Sequence, residues 1–207
     1  MSSMEKTIKW EYSNETIKLI NTLNAPLLAI AGASGSGKSY LTDYLLKCHD
    51  NLSVIKNYTT RPQRTSDAVD HFEYISDEDF NNLLMQDKFL LARYEEYPCY
   101  GYLKNDVLDS INNEKIPLFM FRHSGIKMIS SLISNLYIIA INTNPLESTE
   151  YSKNEISMKS TVATTASQND ILNSTQHFPN RYVLTNDYSA NFTNDEGLWD
   201  FIKGIKS

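Results

Sequence analysis

Eight residues, Gly32-Ala33-Ser34-Gly35-Ser36-Gly37-Lys38-Ser39, carry the clearest chemistry in this chain. Glycines at 32, 35 and 37 let a backbone approach oxygens closely and turn through angles that other residues avoid. Three of the seven glycines of the chain fall within positions 32–37. Loop N–H groups would then converge at a helix N-terminus, where the peptide dipoles favour anions. Lys38 can neutralise phosphate oxygens, and the Ser39 hydroxyl can ligate Mg²⁺. Ser34, Ser36 and Tyr40 complete the expected nucleotide-binding set. The pattern points to ATP, or a similar nucleotide, with Mg²⁺.

A second cationic pair, Arg61 and Arg64, stands three apart in Tyr58-Thr59-Thr60-Arg61-Pro62-Gln63-Arg64. Pro62 stops regular structure there, so both lie on a loop. Guanidinium groups bind phosphate bidentately, which suits the phosphate of an acceptor facing the first loop. Taken alone, the segment would also read as a solvated loop. Arg122 and His123 follow the apolar run Ile116 to Phe121, at a strand end where ligands collect. The tyrosines at 94, 97, 100 and 102 either line an acceptor pocket or pack a ribbon.

The elements that must hold these groups alternate. Leu27 to Ala31 reads as a buried strand, 40–46 as a helix, and Leu52 to Ile55 as a strand. Ser76 caps a helix over 77–87, with Asp77, Glu78 and Asp79 in its first turn. Residues 89–102 read as a β-pair and 104–114 as a helix. Strands at 116–121 and 136–141 flank a helix around 126–133. A last strand covers 181–185 and a helix 194–205. The expected class is α/β, a P-loop fold whose parallel sheet carries helices on both faces. Ile17, Ile20 and Leu23 share one face of a helix over 14–24, placed within an N-terminal helical extension, 1–25. Residues 142–178 are rich in Ser, Thr and Asn and have no arginine; a helical lid is expected there.

Composition narrows the class. With 207 residues, 41% hydrophobic and 21% charged, one catalytic domain is the expectation. The net charge of -6 argues against a nucleic-acid partner, which calls for a basic face. The longest apolar stretches fall far short of the roughly 20 residues that span a bilayer, so no membrane partner is expected. Cys48 and Cys99 are too few for a disulfide framework and read as reduced, buried or half-buried thiols of a cytoplasmic protein. Oligomeric state is not readable.

In order and spacing the chain resembles the guanylate kinase family. Its phosphate-binding segment is similar to 58–64, and its next strand and acidic helix to Phe72-Glu73-Tyr74-Ile75-Ser76-Asp77-Glu78-Asp79-Phe80. Its Tyr-Gly element is similar to Tyr100-Gly101, and its late Asn-Asp to Asn186-Asp187. The resemblance implies a domain over 26–207, with an acceptor lobe at about 58–103 and the lid at 142–178. It also implies transfer of the ATP γ-phosphoryl group, with Mg²⁺, to a nucleoside monophosphate, GMP by family. Lys38, Arg61, Arg64 and Arg122 would be catalytic, Asn186 would lie by the donor base, and Phe72, Tyr100 and Tyr102 would contact the acceptor. The chain departs where guanine is read: Leu91 stands for a glutamate, Tyr102 for a serine and Arg122 for an aspartate. Glu95 or Glu96 would compensate if the ribbon's register differs. Lys153 and Lys159 are the cations able to replace the missing lid arginines. His71 and Leu90-Leu91-Ala92 are similar to the bacterial ribose 1,5-bisphosphate phosphokinases. Alternatives are therefore a kinase of another phosphorylated small molecule, such as ribose 1,5-bisphosphate, or a nucleotide-binding regulatory module with little catalysis.

Overall fold

The computed structural model describes residues 10–65, 67, 70–94, 97–143, 168–187 and 192–205. Two five-stranded sheets organise them. The larger is wholly parallel and is built from β2 (Leu27–Ala31), β3 (Leu52–Val54), β8 (Ile116–Phe121), β9 (Leu136–Thr143) and β10 (Arg181–Asn186). Its spatial order is β10-β9-β2-β8-β3. All five residues of β2 are buried, as expected of a strand covered on both faces.

Alternation along these strands divides the interior in two. Leu27, Ala29, Ala31, Phe119, Phe121, Ile138 and Ala140 face one way, against α1 (Asn14–Leu23), α4 (Lys104–Asn112), α5 (His123–Ser130) and α6, the helical residues 168–175. Leu28, Ile30, Leu118, Ile139, Ile141 and Leu184 face the other, against α2 (Lys38–Cys48) and the C-terminal α7 (Glu196–Lys203). Period-two strands thus meet period-3.6 helices on both sides.

The smaller sheet has the order β1-β6-β7-β4-β5, from β1 (Glu11–Tyr12), β4 (Asn57–Thr59), β5 (Phe72–Tyr74), β6 (Phe89–Arg93) and β7 (Tyr100–Leu103). The expected β-pair is the antiparallel β6–β7 ribbon, with Leu91 opposite Tyr102 and Arg93 opposite Tyr100. The helix α3 (Asp77–Met85) starts where the sequence places it, because the Ser76 side chain accepts from the Asp79 N–H at 3.0 Å.

Two local expectations change. The N-terminal extension is not only helical: β1 pairs antiparallel with β6, Glu11 opposite Ala92, and Ser13 N–H donates to Leu90 O at 3.0 Å. A two-residue strand has too short an alternation to show in a sequence. Helix α5 begins three residues before the expected start, since His123, Ser124 and Gly125 carry no apolar signal although they form its first turn. Cys48 is exposed rather than buried, and both cysteines are free. Among the described residues no helix is long and apolar enough to cross a membrane.

Candidate active site

The carboxyl ends of β2 and β8 lie side by side, joined past the strands by a bond from Gly32 N–H to Phe121 O at 3.2 Å. The glycine-rich loop leaves β2 here and turns into α2. Gly35 and Gly37 hold φ of +77° and +90°, the left-handed region that favours glycine. A Cβ at Gly37 would come within 2.7 Å of the Asn186 side-chain nitrogen. That nitrogen donates to Ser36 O at 3.1 Å, so the end of β10 braces the loop from behind. Asn186 is therefore placed against the loop backbone.

Lys38 curls into the loop, donating through Nζ to Gly32 O at 2.9 Å and Ala33 O at 2.6 Å. Burial, and then repulsion from Arg122, lower its pKa to about 7. An anion between these two cations would offset the repulsion and favour the charged amine against burial, so nucleotide binding near neutral pH is expected to draw a proton onto Lys38. Tyr40 is exposed, its ring 5.4 Å from that of Phe192.

Across from the loop, Arg61 is buried and completely oriented. Its guanidinium stacks on Phe72 at 4.7 Å and Tyr74 at 5.4 Å. Nη1 donates to Asp67 Oδ2 at 2.7 Å and Pro62 O at 2.9 Å, and Nη2 to Asp67 Oδ1 at 2.8 Å. The remaining N–H groups, on Nε and Nη2, form one fork of the geometry that takes a phosphate edge-on. Asp67 also accepts from the Tyr74 hydroxyl at 2.6 Å and the Arg64 N–H at 2.7 Å. Burial pushes its carboxyl up, but these donors and the Arg61 charge outweigh burial and hold it well below the usual carboxylate range.

One cavity of about 570 Å³ joins the two halves. Among the residues expected at the site, Ser34, Gly35, Gly37, Lys38, Ser39, Tyr40, Arg61, Arg64, Phe72, Tyr100 and Arg122 line it. Gly32, Ser36 and Asn186 do not; they form the back of the loop, where Ser36 is buried. Tyr102 is a correction. It is 1% exposed, packed edge-on against Phe119 and Phe121, with its hydroxyl accepting from Asn57 Nδ2 and donating to Met120 O. Leu91 and Arg93 share one face of β6, as Tyr102 and Tyr100 share one of β7; Arg93 and Tyr100 lie at the cleft end of that face, and Leu91 and Tyr102 at its core end. Tyr102 therefore packs and does not touch an acceptor. Glu95, Glu96, Lys153 and Lys159, with most of the expected lid, lie outside the described residues.

Sequence reading missed Trp10, Asn57, Asp67 and Arg93 in the cleft wall. Asp67 had a signal, an acid three residues past two arginines. Trp10 had none, because only the pairing of β1 with β6 brings it there. Among the described residues no group of three or more His, Cys, Asp or Glu gathers as a metal site. The Ser39 hydroxyl, beside Lys38 on the cleft wall, fits one ligand of a magnesium ion whose others come from phosphate and water.

The guanylate kinase family model matches residues 24–194. A guanylate kinase of Rickettsia prowazekii is 30% identical over 171 residues, covering 78% of this chain and 83% of that protein. One of Neisseria gonorrhoeae is 40% identical over 65 residues, 31% of this chain and about a third (32%) of that protein's length. The crystal structure of guanylate kinase from Anaplasma phagocytophilum superposes with a TM-score of 0.59 at 15% identity, covering 88% of each chain. With a glycine-rich loop, a parallel sheet and an arginine-bearing lobe arranged as above, the chain belongs to the guanylate kinase family.

Proposed function

We propose that the chain is an ATP-dependent phosphotransferase that moves the γ-phosphoryl group to a small phosphorylated acceptor, a nucleoside monophosphate by family. The observation that carries this reading is that the glycine-rich loop and the Arg61–Arg64 pair line the same cleft. Donor and acceptor phosphates bound there would face each other, and phosphoryl transfer depends chiefly on positioning and charge.

Loop N–H groups and Lys38 hold the donor phosphates. Arg61, locked by Asp67, presents its free fork to the acceptor phosphate, and Arg64 adds a second positive charge beside it. Arg122, close enough to Lys38 to lower its pKa, supplies positive charge where a phosphoryl group passes between the two sites. Ser39 would hold one side of a Mg²⁺ ion, which would supply positive charge to the donor phosphates. With Leu91 and Tyr102 in the core, neither position that the family uses offers guanine a carboxylate or hydroxyl from the described residues, which favours an acceptor other than GMP.

The test is coupled ADP release from ATP and Mg²⁺ with GMP, AMP, CMP, UMP and ribose 1,5-bisphosphate. At least one acceptor should stimulate turnover, and Lys38→Met should abolish it. ATP binding without acceptor-dependent ADP release across the panel would refute the proposal and leave a nucleotide-binding module.

A further inference from the structure

Three residues of the cleft wall each carry a buried side-chain atom with no hydrogen-bond partner: Trp10 Nε1, Asn57 Oδ1 and Arg93 Nε. Buried polar groups are nearly always paired, so three on one cavity wall mark the partners of a ligand. Their neighbours hold each in place. The Tyr102 hydroxyl donates to Met120 O at 2.6 Å, so it accepts from Asn57 Nδ2 at 3.1 Å, and Oδ1 is left as the free end of that amide. Arg93 donates through Nη2 to Pro98 O at 2.8 Å and stacks on Tyr100 at 5.1 Å, which fixes its Nε–H. Trp10 is positioned by β1 and stands edge-on to Phe121, the centroids 6.5 Å apart.

The set is rich in donors. Among the described residues Asp67 is the one side-chain carboxylate on the wall, and Arg61, Tyr74 and the Arg64 N–H already occupy it. Guanine presents three N–H donors on its pairing edge, whereas among the described wall residues the one buried, unpaired acceptor is Asn57 Oδ1. A sugar presents oxygens that accept from the indole and guanidinium N–H groups, and hydroxyls that donate to the amide. Trp10 lies outside residues 24–194, so this wall is completed by a segment beyond the family match.

We propose that Trp10, Asn57 and Arg93 form a recognition subsite for the sugar of a phosphorylated sugar, with Trp10 Nε1–H and Arg93 Nε–H donating to its oxygens and Asn57 Oδ1 accepting from a hydroxyl. This rests on the reading that Arg61 and Arg64 take the acceptor's phosphate.

The test is calorimetric binding of ribose 5-phosphate, glucose 6-phosphate and GMP to the full chain. At least one sugar phosphate should bind about tenfold tighter than GMP. Trp10→Phe, which removes only the N–H and part of the ring, and Arg93→Lys should each weaken that sugar phosphate about five- to tenfold. Melting curves establish that each variant is folded, and Arg93→Lys carries the test if Trp10→Phe is not. GMP binding as tightly as or more tightly than both sugar phosphates, or folded variants with unaltered sugar phosphate affinity, would overturn the proposal. Binding decides the subsite; sugar phosphate binding without ADP release would instead count against the phosphotransferase reading.

Discussion

At the scale of single residues, the acceptor side depends on how tightly Arg61 is held. Two rings and one carboxylate leave its guanidinium a single free fork. Asp67→Asn keeps the shape but removes the charge and one acceptor, so Arg61 and the Arg64 N–H compete for one oxygen. The acceptor KM is expected to rise about tenfold, the loss of one charge-assisted bond, with the ATP KM little changed. Steady-state rates with each substrate varied would check it; an unmoved acceptor KM would mean that stacking alone positions Arg61. The arginines were legible in the sequence because their spacing is local. Their carboxylate partner was less so: Asp67 stands three residues past Arg64, but nothing in a linear pattern says that it folds back onto both.

At the scale of elements, the glycine-rich loop is the clearest case of local sequence dictating local shape. Its left-handed glycines are set by sterics within a few residues, and the strand before it and the helix after it have strong periodic patterns. The brace behind it comes from Asn186, 150 positions away in the chain. Gly37→Ala strains the backbone by about 1–2 kcal/mol at φ +90°. It also drives a methyl group against the Asn186 amide. Urea denaturation should show at least that loss of stability, and ATP affinity should fall as the loop loses its shape; a variant of wild-type stability and affinity would contradict this account. The β6–β7 ribbon is the opposite case. Its existence was readable from its richness in aromatics, but how far along the ribbon the cleft reaches depended on long-range packing, which leaves Tyr100 in the cleft and puts Tyr102, two residues on along the same face, in the core.

At the scale of the whole molecule, a contact ties the two sheets' layers together. His71, 1% exposed just before β5, lies with Nε2 2.9 Å from Asp43 Oδ1 on α2. Burial lowers the His71 pKa, and the Asp43 carboxylate and more distant Asp70 oppose that only in part. Because the folded pKa lies below the unfolded value of about 6.5, the unfolded chain binds a proton that the folded chain refuses. Stability attributable to His71 is thus present above pH 6.5 and is lost as pH falls below it. The melting temperature of the wild-type chain is expected to drop between pH 7.5 and pH 5.5, and the drop should shrink in His71→Asn. Equal slopes in the two proteins would assign the acid sensitivity to other groups.

Taken alone, the sequence determined the α/β class, the order of the core strands and helices, the phosphate-binding loop and the paired arginines. Each rests on contacts between near neighbours in the chain, whose spacing is visible as a period or a motif. Tertiary structure decided what lines the cleft. It closed Asp67 onto Arg61, buried Leu91 and Tyr102, and turned Arg93 and Asn57 into the cleft. It also carried Trp10 across the smaller sheet to finish the wall. Those outcomes follow from strand register and long-range packing, where one residue of slip reverses which side chain faces the ligand.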